Sequence, residues 1–305
     1  MPPMVSERVS ERVSELHQLP PGKIRAAVVQ MTSTQDVGHN LERASRLVRQ
    51  AAAQGAELVG LPENFAFLGT DRDHRLAIAE ALDPPPGDGA ALDAARRHLG
   101  PILAAMTQLA RDSGVHLLLG GFPERSEVPT HIRNTSVLVA PDGRVIARYR
   151  KMHLFDVDLP GGVRFRESEA IEAGDQVVVV PFPWGGLGLS ICYDLRFPEL
   201  YRQQTAAGAR VLTVPSAFTA ETGKDHWHVL LRARAVENQA FVLAPAQFGL
   251  HGGQRRSYGH ALIADPWGAV LAECGDHEGV AVADLDFRYQ DEVRARLPCL
   301  SHRRL

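Results

Sequence analysis

Three polar side chains that can take part in acyl transfer each stand at the end of an apolar, strand-like run. They are Glu63, Lys151 and Cys192. A thiol has an ordinary pKa of ~8.5 and must lose its proton before it attacks a carbonyl carbon. A carboxylate can accept that proton, and a fixed ammonium can stabilise both the thiolate and an oxyanion. Strand ends on one side of a sheet converge, so these three residue types indicate acyl transfer.

Cys192 lies at a sharp turn between a predicted strand and a predicted helix. Tyr193-Asp194-Leu195-Arg196-Phe197 follows it, and Pro198 then opens a helical stretch. A nucleophile at such a junction projects from the strand end, and the backbone N–H groups after it can face developing negative charge. A free cysteine is, however, most often a small buried apolar residue, and a charge at a strand end is most often solvated. Both interpretations stay open on these residues alone.

Composition and charge exclude several classes of protein. Of the 305 residues, 45% are hydrophobic and 23% are charged, as in ordinary globular proteins. The formal net charge of -3, with acidic and basic residues interspersed, is not typical of a nucleic-acid-binding surface. The chain has no apolar run of the ~18–20 residues that span a membrane, and no signal-peptide pattern. The sequence therefore predicts a cytoplasmic protein without nucleic-acid or membrane partners.

The cysteines and histidines do not form the patterns of known metal sites. Cys192, Cys274 and Cys299 lie far apart, so neither a disulfide framework nor a thiolate zinc site is indicated. The sequence contains no His-Glu-x-x-His motif, phosphate-binding loop or dinucleotide-binding glycine motif. His226 and His228 would point to different faces of a predicted helix. We therefore expect neither a metal nor another cofactor.

Strand-like runs alternate with stretches of helical periodicity. In the first helical stretch, apolar residues recur at helical spacing from Leu41 to Ala51, and Gly55 is placed to end the helix. The turn sequences Pro141-Asp142-Gly143 and Asp265-Pro266-Trp267-Gly268 interrupt the alternation, so a purely parallel sheet does not fit, and we predict two mixed sheets in one α/β domain. The predicted helices begin near residue 40 and cover 102–111, 198–207 and 226–238; the predicted strands cover 24–31, 56–63, 115–122, 135–140, 145–151, 176–181, 188–192, 209–215, 240–244, 257–264, 269–273 and 280–285.

The N-terminus and two internal stretches depart from this pattern. Residues 1–22 contain a near-repeat of Val-Ser-Glu-Arg with little apolar surface, so we expect a disordered leader or one that docks loosely on a partner subunit. Residues 69–100 are rich in charge, proline and glycine, which predicts a surface excursion, either a lid or a loop. Residues 156–172 are predicted to form an irregular loop. No other break in composition divides the chain before residue 285.

Three segments, in order along the chain, resemble the signature segments of the nitrilase (carbon–nitrogen hydrolase) superfamily. They are Leu61-Pro62-Glu63, Arg150-Lys151-Met152-His153-Leu154-Phe155-Asp156 and Cys192-Tyr193-Asp194-Leu195-Arg196-Phe197-Pro198-Glu199. The likeness covers nearly the whole chain after the leader. It implies that residues 23–290 form a four-layer αββα sandwich with two mixed sheets. It also implies a homodimer or higher homo-oligomer, with the tail 291–305 at the interface.

The resemblance assigns a role to each candidate catalytic residue. Cys192 would be the nucleophile that forms a thioester, and Glu63 would be the general base. Lys151 would stabilise the oxyanion, together with the backbone N–H of Tyr193. Glu167 matches a second family glutamate, which positions the lysine or assists proton transfer. The remote alternative is a non-catalytic interaction protein, from which we would expect one of the first three residues to be missing.

Within the superfamily, the chain is similar to the branch of deaminated glutathione amidases, close relatives of the omega-amidases. This implies an amidase that hydrolyses the terminal amide of a small carboxylate-bearing substrate, foremost deaminated glutathione. The alternatives are 2-oxoglutaramate and, more distantly, N-carbamoyl amino acids. The supporting segments are residues 153–158, 215–219, 226–227, 231–239, 248–256, 257–260 and 302–304.

Arg196 is the residue that the resemblance assigns to substrate choice. A guanidinium suits a substrate carboxylate because the two planar groups can form two parallel hydrogen bonds. Phe218 and Thr222 would shape the pocket around it. The alternative is that Arg196 forms a structural ion pair with Asp194 or Glu199, and the sequence leaves this open.

Overall fold

The computed structural model describes residues 22–82, 99–158, 164–253 and 255–304. The predicted leader, except for Gly22, lies outside the described residues, and so do residues 83–98 of the predicted surface excursion. The described part of that excursion contains a short helix and the buried Glu80. None of the helices within the described ranges is both long enough and apolar enough to cross a bilayer.

Strands and helices follow one another along the described chain in the following order. The strands are β1 Lys23–Met31, β2 Leu58–Gly60, β3 His116–Arg125, β4 Ile132–Val139, β5 Val145–Arg150, β6 Asp156–Asp158, β7 Arg164–Arg166, β8 Val179–Phe182, β9 Gly185–Leu189, β10 Ala209–Thr213, β11 Phe241–Ala244, β12 Ala246–His251, β13 Arg255–Tyr258, β14 Leu262–Ala264, β15 Val270–Glu273 and β16 Gly279–Asp286. The helices are α1 Val37–Ala53, α2 Arg72–Ala77, α3 Pro101–Ser113, α4 Pro198–Ala206, α5 Ala220–Asn238 and α6 Phe287–Arg296. Helix α6 crosses residue 290, where the predicted domain ends.

Most of the strands form two mixed sheets. The larger sheet has eight strands in the order β13-β12-β1-β2-β3-β4-β5, and β16 also pairs with β1. The smaller sheet has six strands in the order β15-β14-β11-β10-β9-β8. Strand β1 is parallel to β2 and antiparallel to β16, so both kinds of pairing meet at the centre of the larger sheet. The prediction of two mixed sheets is confirmed.

The alternation of side chains along β1 shows how the layers stack. Ala26 and Val28 belong to the core between the sheets, together with Val211 of β10. Ala27 and Val29 belong to a second core, which the larger sheet forms with α1 and α3. Successive side chains of a strand point to opposite faces, so one face of the larger sheet packs on the smaller sheet and the other on helices. Helices α4 and α5 pack on strands of the smaller sheet. The layers are therefore αββα, as the resemblance implied.

Helix α5 begins six residues before its predicted start. It begins at Ala220 rather than at residue 226. Gly223 weakens the local helical signal, because a glycine inside a helix costs about 1 kcal/mol relative to alanine. The glycine is nevertheless required, since a Cβ at this position would lie 2.3 Å from the Cβ of Tyr258 on β13. Close packing between the helix and a strand of the larger sheet therefore overrides the local signal.

The predicted strand 257–264 is in fact two strands in different sheets. Strand β13 pairs with β12 in the larger sheet, whereas β14 pairs with β11 and β15 in the smaller one. Between them, Gly259 and His260 have φ angles of 81° and 58°, which turn the chain from one sheet to the other. The prediction of an irregular loop over residues 156–172 was also wrong in part, because this segment contains the hairpin of β6 and β7.

The missing side chain of Gly120, in β3, allows two candidate site segments to come close. A Cβ at Gly120 would lie 2.2 Å from the carbonyl oxygen of Leu61 and 2.3 Å from the Cβ of Pro215. Leu61 leads into Glu63, and the carbonyl oxygen of Pro215 accepts a hydrogen bond of 2.9 Å from the N–H of Cys192. Gly120 therefore sets how closely the two segments approach.

We expect Gly120→Ala to destabilise the protein by about 2–3 kcal/mol, because overpacking an interior typically costs ~1–3 kcal/mol and the nearest atom here belongs to backbone. Gly279→Ala is the matched control, since an added Cβ on Gly279 meets no atom within 4 Å. We expect this control to stay within about 0.5 kcal/mol of the parent protein. Urea unfolding measures both variants, and equal stabilities would contradict the role of Gly120.

Candidate active site

A cavity of about 360 Å³ opens where the segments that follow β2, β5 and β9 meet. Two of these strands belong to the larger sheet and one to the smaller, so the cavity forms where strand ends of both sheets come together. All eight candidate site residues predicted from the sequence line it. They are Glu63, Lys151, Glu167 and Cys192, predicted for catalysis, and Tyr193, Arg196, Phe218 and Thr222, predicted for substrate binding.

Cys192 is the first residue of a 3-10 turn, Cys192–Arg196, that follows β9. Its φ of 48° lies in the left-handed region, which costs a residue other than glycine roughly 1–2 kcal/mol. Buried hydrogen bonds hold the turn in place. The Asp194 carboxylate accepts one from the N–H of Ile191 at 2.8 Å and one from the hydroxyl of Tyr149 at 2.7 Å. The thiol thus stands on a strained but fixed turn.

Lys151 directly follows β5, and only 2% of its side chain is exposed. Its ammonium donates hydrogen bonds to Oε1 of Glu63 at 3.0 Å and to Oε2 of Glu167 at 2.7 Å. The Glu167 carboxylate also accepts a hydrogen bond of 2.7 Å from the N–H of Phe155, which fixes it relative to the segment after Lys151. One ammonium therefore lies between two carboxylates.

Glu63 is held by two further donors. Its Oε1 accepts a hydrogen bond of 2.8 Å from Nδ2 of Asn134, and its Oε2 accepts one of 2.9 Å from the N–H of Ala217. Sequence reasoning missed Asn134, which lies on β4. The available signal was an amide side chain immediately before the apolar run 135–140. These donors fix the Glu63 carboxylate in one orientation.

The pKa values of the three central groups follow from burial and from their mutual charges. Burial raises the pKa of Glu63, but the charge and hydrogen bond of Lys151 outweigh this and lower it overall. Burial lowers the pKa of Lys151, but Glu167 and Glu63 outweigh this and raise it. Burial and the charge of Glu63 raise the pKa of the Cys192 thiol, and Lys151 offsets only part of this effect. The resting site therefore holds a carboxylate, an ammonium and a neutral thiol.

Arg196 lies over two aromatic rings of the cavity wall. The carbon of its guanidinium is 5.0 Å from the ring centroid of Phe218 and 5.9 Å from that of Tyr193. Its Nη1 lies 3.2 Å from Nδ1 of His226. Its guanidinium has no ion pair with any residue that the structure describes, so the structural pairing considered from the sequence is not found. The cation is available to a ligand in the cavity.

The cavity also includes Arg75 on α2, His251 at the end of β12 and Arg255 at the start of β13. Arg75 lies in the predicted excursion and was missed. His251 and Arg255 lie in the segment 248–256, which supported the resemblance to the amidase branch, but neither residue was assigned a role from the sequence. The predicted residue Thr222 lies in the first turn of α5, where its hydroxyl oxygen is 2.8 Å from that of Thr219.

A group of potential metal ligands lies among residues that do not line the cavity. The ligand atoms of His228, His260 and Glu273 lie within 4.8 Å of one another. Oε1 of Glu273 is 2.9 Å from Nε2 of His228 and 2.7 Å from Nδ1 of His260. These are ordinary hydrogen-bond distances. The three groups therefore satisfy one another, and we assign no metal to them.

The fold and the cavity define an αββα enzyme whose polar groups gather where two mixed sheets meet. Residues 25–295 match the carbon–nitrogen hydrolase family. This range covers nearly the whole described chain. The chain belongs to this family, as its three signature segments predicted.

The sequence and the fold are similar to those of known proteins over most of the chain. A deaminated glutathione amidase of Synechocystis sp. is 46% identical over 284 residues, which are 91% of this chain and 97% of that protein. The crystal structure of the NitFhit protein of Caenorhabditis elegans has a TM-score of 0.82 at 41% identity, over 93% of this chain and 65% of that one. The structure of a mutant of the amidase from Nesterenkonia sp. AN1 has a TM-score of 0.69 at 30% identity, over 90% of this chain and 98% of that one. That structure shows acrylamide added to the active-site cysteine.

The raised pKa of Cys192 predicts that the resting protein has no thiolate at neutral pH. We expect the absorbance at 240 nm, as a difference between the parent protein and Cys192→Ser, to show no thiolate between about pH 6 and pH 8.5, the ordinary thiol pKa. Because the charge of Glu63 raises the thiol pKa, Glu63→Gln should move the titration to lower pH. A thiolate already present at pH 7 in the parent protein would contradict this resting state.

Proposed function

We propose that this chain is a thiol amidase that hydrolyses deaminated glutathione. The observation that carries the proposal is the buried Lys151 ammonium, which is hydrogen-bonded to Glu63 and Glu167 in the cavity that Cys192 lines. The name of the Synechocystis relative supports the choice of substrate, since the two sequences align over nearly their full lengths.

In the first half of the reaction, Sγ of Cys192 attacks the amide carbonyl carbon while Glu63 takes the thiol proton. The carbonyl oxygen becomes an oxyanion, which Lys151 and the N–H of Tyr193 stabilise. The tetrahedral intermediate collapses and its C–N bond breaks. Glu63 gives its proton to the leaving amine, and a thioester remains on Cys192.

In the second half, Glu63 removes a proton from a water molecule that attacks the thioester carbon. A second oxyanion forms in the same place and collapses, which breaks the C–S bond. The acid leaves and the proton returns to Sγ of Cys192. Glu167 positions Lys151 through both halves, because its carboxylate is tied to that ammonium and to the N–H of Phe155.

Arg196 supplies the substrate selectivity in this proposal. Deaminated glutathione is glutathione whose α-amino group is replaced by an oxo group, so its acyl side is a 2-oxoglutaryl unit that ends in a carboxylate. The guanidinium of Arg196 has no ion pair within the described chain and can bind this carboxylate through two hydrogen bonds. The leaving group is the amine of cysteinylglycine, and the acid that is released is 2-oxoglutarate. The assay therefore measures 2-oxoglutarate.

We expect Cys192→Ala to abolish the release of 2-oxoglutarate from deaminated glutathione, and Lys151→Ala to lower kcat/KM by ~10²–10³, the usual cost of losing an oxyanion donor. Cys192→Ala leaves the charged groups intact and should stay folded, whereas Lys151→Ala needs a melting curve beside its rate. Lys23→Ala, at an exposed lysine, is the matched control. Turnover near the parent rate in Lys151→Ala would contradict the proposed mechanism.

A homodimer through the outer face of α5 is part of the same proposal. Val229 and Val236 on that helix are 66% and 48% exposed, and the nearby Trp267 is 60% exposed. Contiguous exposed apolar surface commonly marks an interface.

The three free cysteines support a reducing, cytoplasmic compartment.

The dimer can be tested by light scattering on a size-exclusion column. We expect twice the mass of one 33.3 kDa chain for the parent protein and a single-chain mass for Val229→Asp, because a carboxylate cannot be buried without a partner. Val128→Asp is the control, since Val128 is also exposed but lies on another part of the surface. A monomeric parent protein would contradict the proposed interface.

A further inference from the structure

Arg255 brings a cation to the cavity and forms no ion pair with any residue that the structure describes. Its guanidinium carbon lies 5.8 Å from the ring centroid of Phe165, and its Nη2 lies 3.5 Å from the carbonyl oxygen of Ala217. The Nε atom is buried and has no hydrogen-bond partner among the described residues. A buried polar atom without a partner typically costs ~1–3 kcal/mol. This arrangement therefore favours a ligand that accepts hydrogen bonds.

Arg75 brings a second cation to the same cavity. Its Nη2 donates a hydrogen bond of 2.8 Å to the carbonyl oxygen of Gly69, and its guanidinium carbon lies 6.0 Å from the ring centroid of Phe67. Burial lowers the pKa of Arg75 and the like charge of Arg255 lowers it further, while the charges of Glu167 and Glu63 offset part of this effect. Both guanidinium groups line the same cavity.

The carboxylates of the cavity lie too far from this pair of guanidinium groups to form ion pairs with it. Among the residues that the structure describes, none places a carboxylate oxygen within 4.0 Å of either guanidinium. Glu63 and Glu167 are already hydrogen-bonded to Lys151. Charges that are partly removed from water need a partner. A bound anion would supply one.

Arg196 marks a different position in the cavity. It lies against the rings of Tyr193 and Phe218. Arg255 lies against Phe165 instead, and Arg75 lies against Phe67. The cavity therefore offers two cationic positions, which lie against different parts of its wall. A ligand with two carboxylates can satisfy both, whereas a ligand with one carboxylate leaves one of them without an anion.

His251 adds an uncharged acceptor beside this pair. Its Nδ1 lies 2.9 Å from the carbonyl oxygen of Ser33, so Nδ1 carries the proton and Nε2 is an acceptor. Nε2 is buried without a partner among the described residues, and burial lowers the His251 pKa to about 4, which keeps the ring neutral. A peptide group near a carboxylate offers an N–H to such an acceptor.

We propose that Arg75 and Arg255 form a second anion subsite, which binds a carboxylate on the leaving-group side of the scissile amide while Arg196 binds the carboxylate on the acyl side. This inference rests on the proposed function and deepens it. The substrate class is an amide in which both the acid and the amine carry a carboxylate, the amine being an amino acid or a short peptide. Deaminated glutathione belongs to this class.

The test compares two substrates that share one acyl group. They are deaminated glutathione and its C-terminal amide, in which the glycine carboxylate is replaced by an uncharged carboxamide. We expect the parent protein to prefer the carboxylate form by about 10- to 100-fold in kcat/KM, mostly through KM, as for other charge-assisted hydrogen bonds. Arg255→Gln and Arg75→Gln should each reduce this preference several-fold, and Arg255→Lys should restore part of it.

Arg196→Gln is the matched control, because it removes a guanidinium that faces the acyl group common to both substrates. It should lower kcat/KM for both and leave the preference between them in place. The charge of Arg255 also lowers the pKa of Glu63, but a change in Glu63 affects both substrates alike and cancels in the ratio. A preference that is absent from the parent protein, or unchanged in both Arg75→Gln and Arg255→Gln, would overturn the subsite.

Binding separates failure of the subsite from failure of the proposed function. Calorimetry with Cys192→Ala measures the affinity for both compounds without turnover. Tighter binding of the carboxylate form, lost in Cys192→Ala/Arg255→Gln, supports the subsite even when the parent protein hydrolyses neither compound. Equal binding of the two forms overturns the subsite, and hydrolysis of both at equal rates would do so while leaving the amidase proposal intact.

Discussion

The placement of the Lys151 ammonium between the carboxylates of Glu63 and Glu167 is the interaction on which the rest of the site depends. Removing one partner from a buried ion pair typically costs about 3–5 kcal/mol, because the remaining charge is left without compensation. Each of the three groups therefore requires the others. The charge of Lys151 keeps Glu63 ionised in spite of its burial, and burial together with the charge of Glu63 raises the pKa of the Cys192 thiol and keeps it neutral.

This arrangement requires correct packing of the two sheets. Glu63 and Lys151 follow strands of the larger sheet, whereas Cys192 follows a strand of the smaller one. The N–H of Ala217, in the segment after β10 of the smaller sheet, donates a hydrogen bond to Oε2 of Glu63. Gly120 allows the close approach that these contacts need. The geometry of the site therefore depends on the packing of the core, since a shift of one sheet would separate the thiol from its base.

The charge of the cavity divides into two parts with different partners. The ammonium and the two carboxylates of the buried group satisfy one another through short hydrogen bonds. The guanidinium groups of Arg75, Arg196 and Arg255 lie against aromatic rings, and within the described ranges they have no carboxylate at ion-pair distance. The first set suits bond cleavage, which needs fixed protonation states. The second set suits recognition, because its missing partners are anions that a substrate can bring.

The sequence by itself determined the class of fold, the family and the residue types of the candidate site. Local patterns carry this information: helical spacing places α1 and Gly55, turn residues separate β4 from β5, and the three signature segments are contiguous in the chain. Asn134, Arg75 and Arg255 could not be assigned a role in this way, because each meets its neighbours in the cavity only after segments far apart in sequence have packed.

The tertiary structure alone decided where local signals were ambiguous or absent. A glycine such as Gly223 is unfavourable in a helix, yet Gly223 lies inside α5 because Tyr258 packs against it. Residues 257–264 read as one strand, yet they divide between two sheets, because Gly259 and His260 adopt left-handed backbone conformations. A sequence pattern reports whether a side chain is buried. Which sheet, ring or charge it is buried against depends on how distant segments pack.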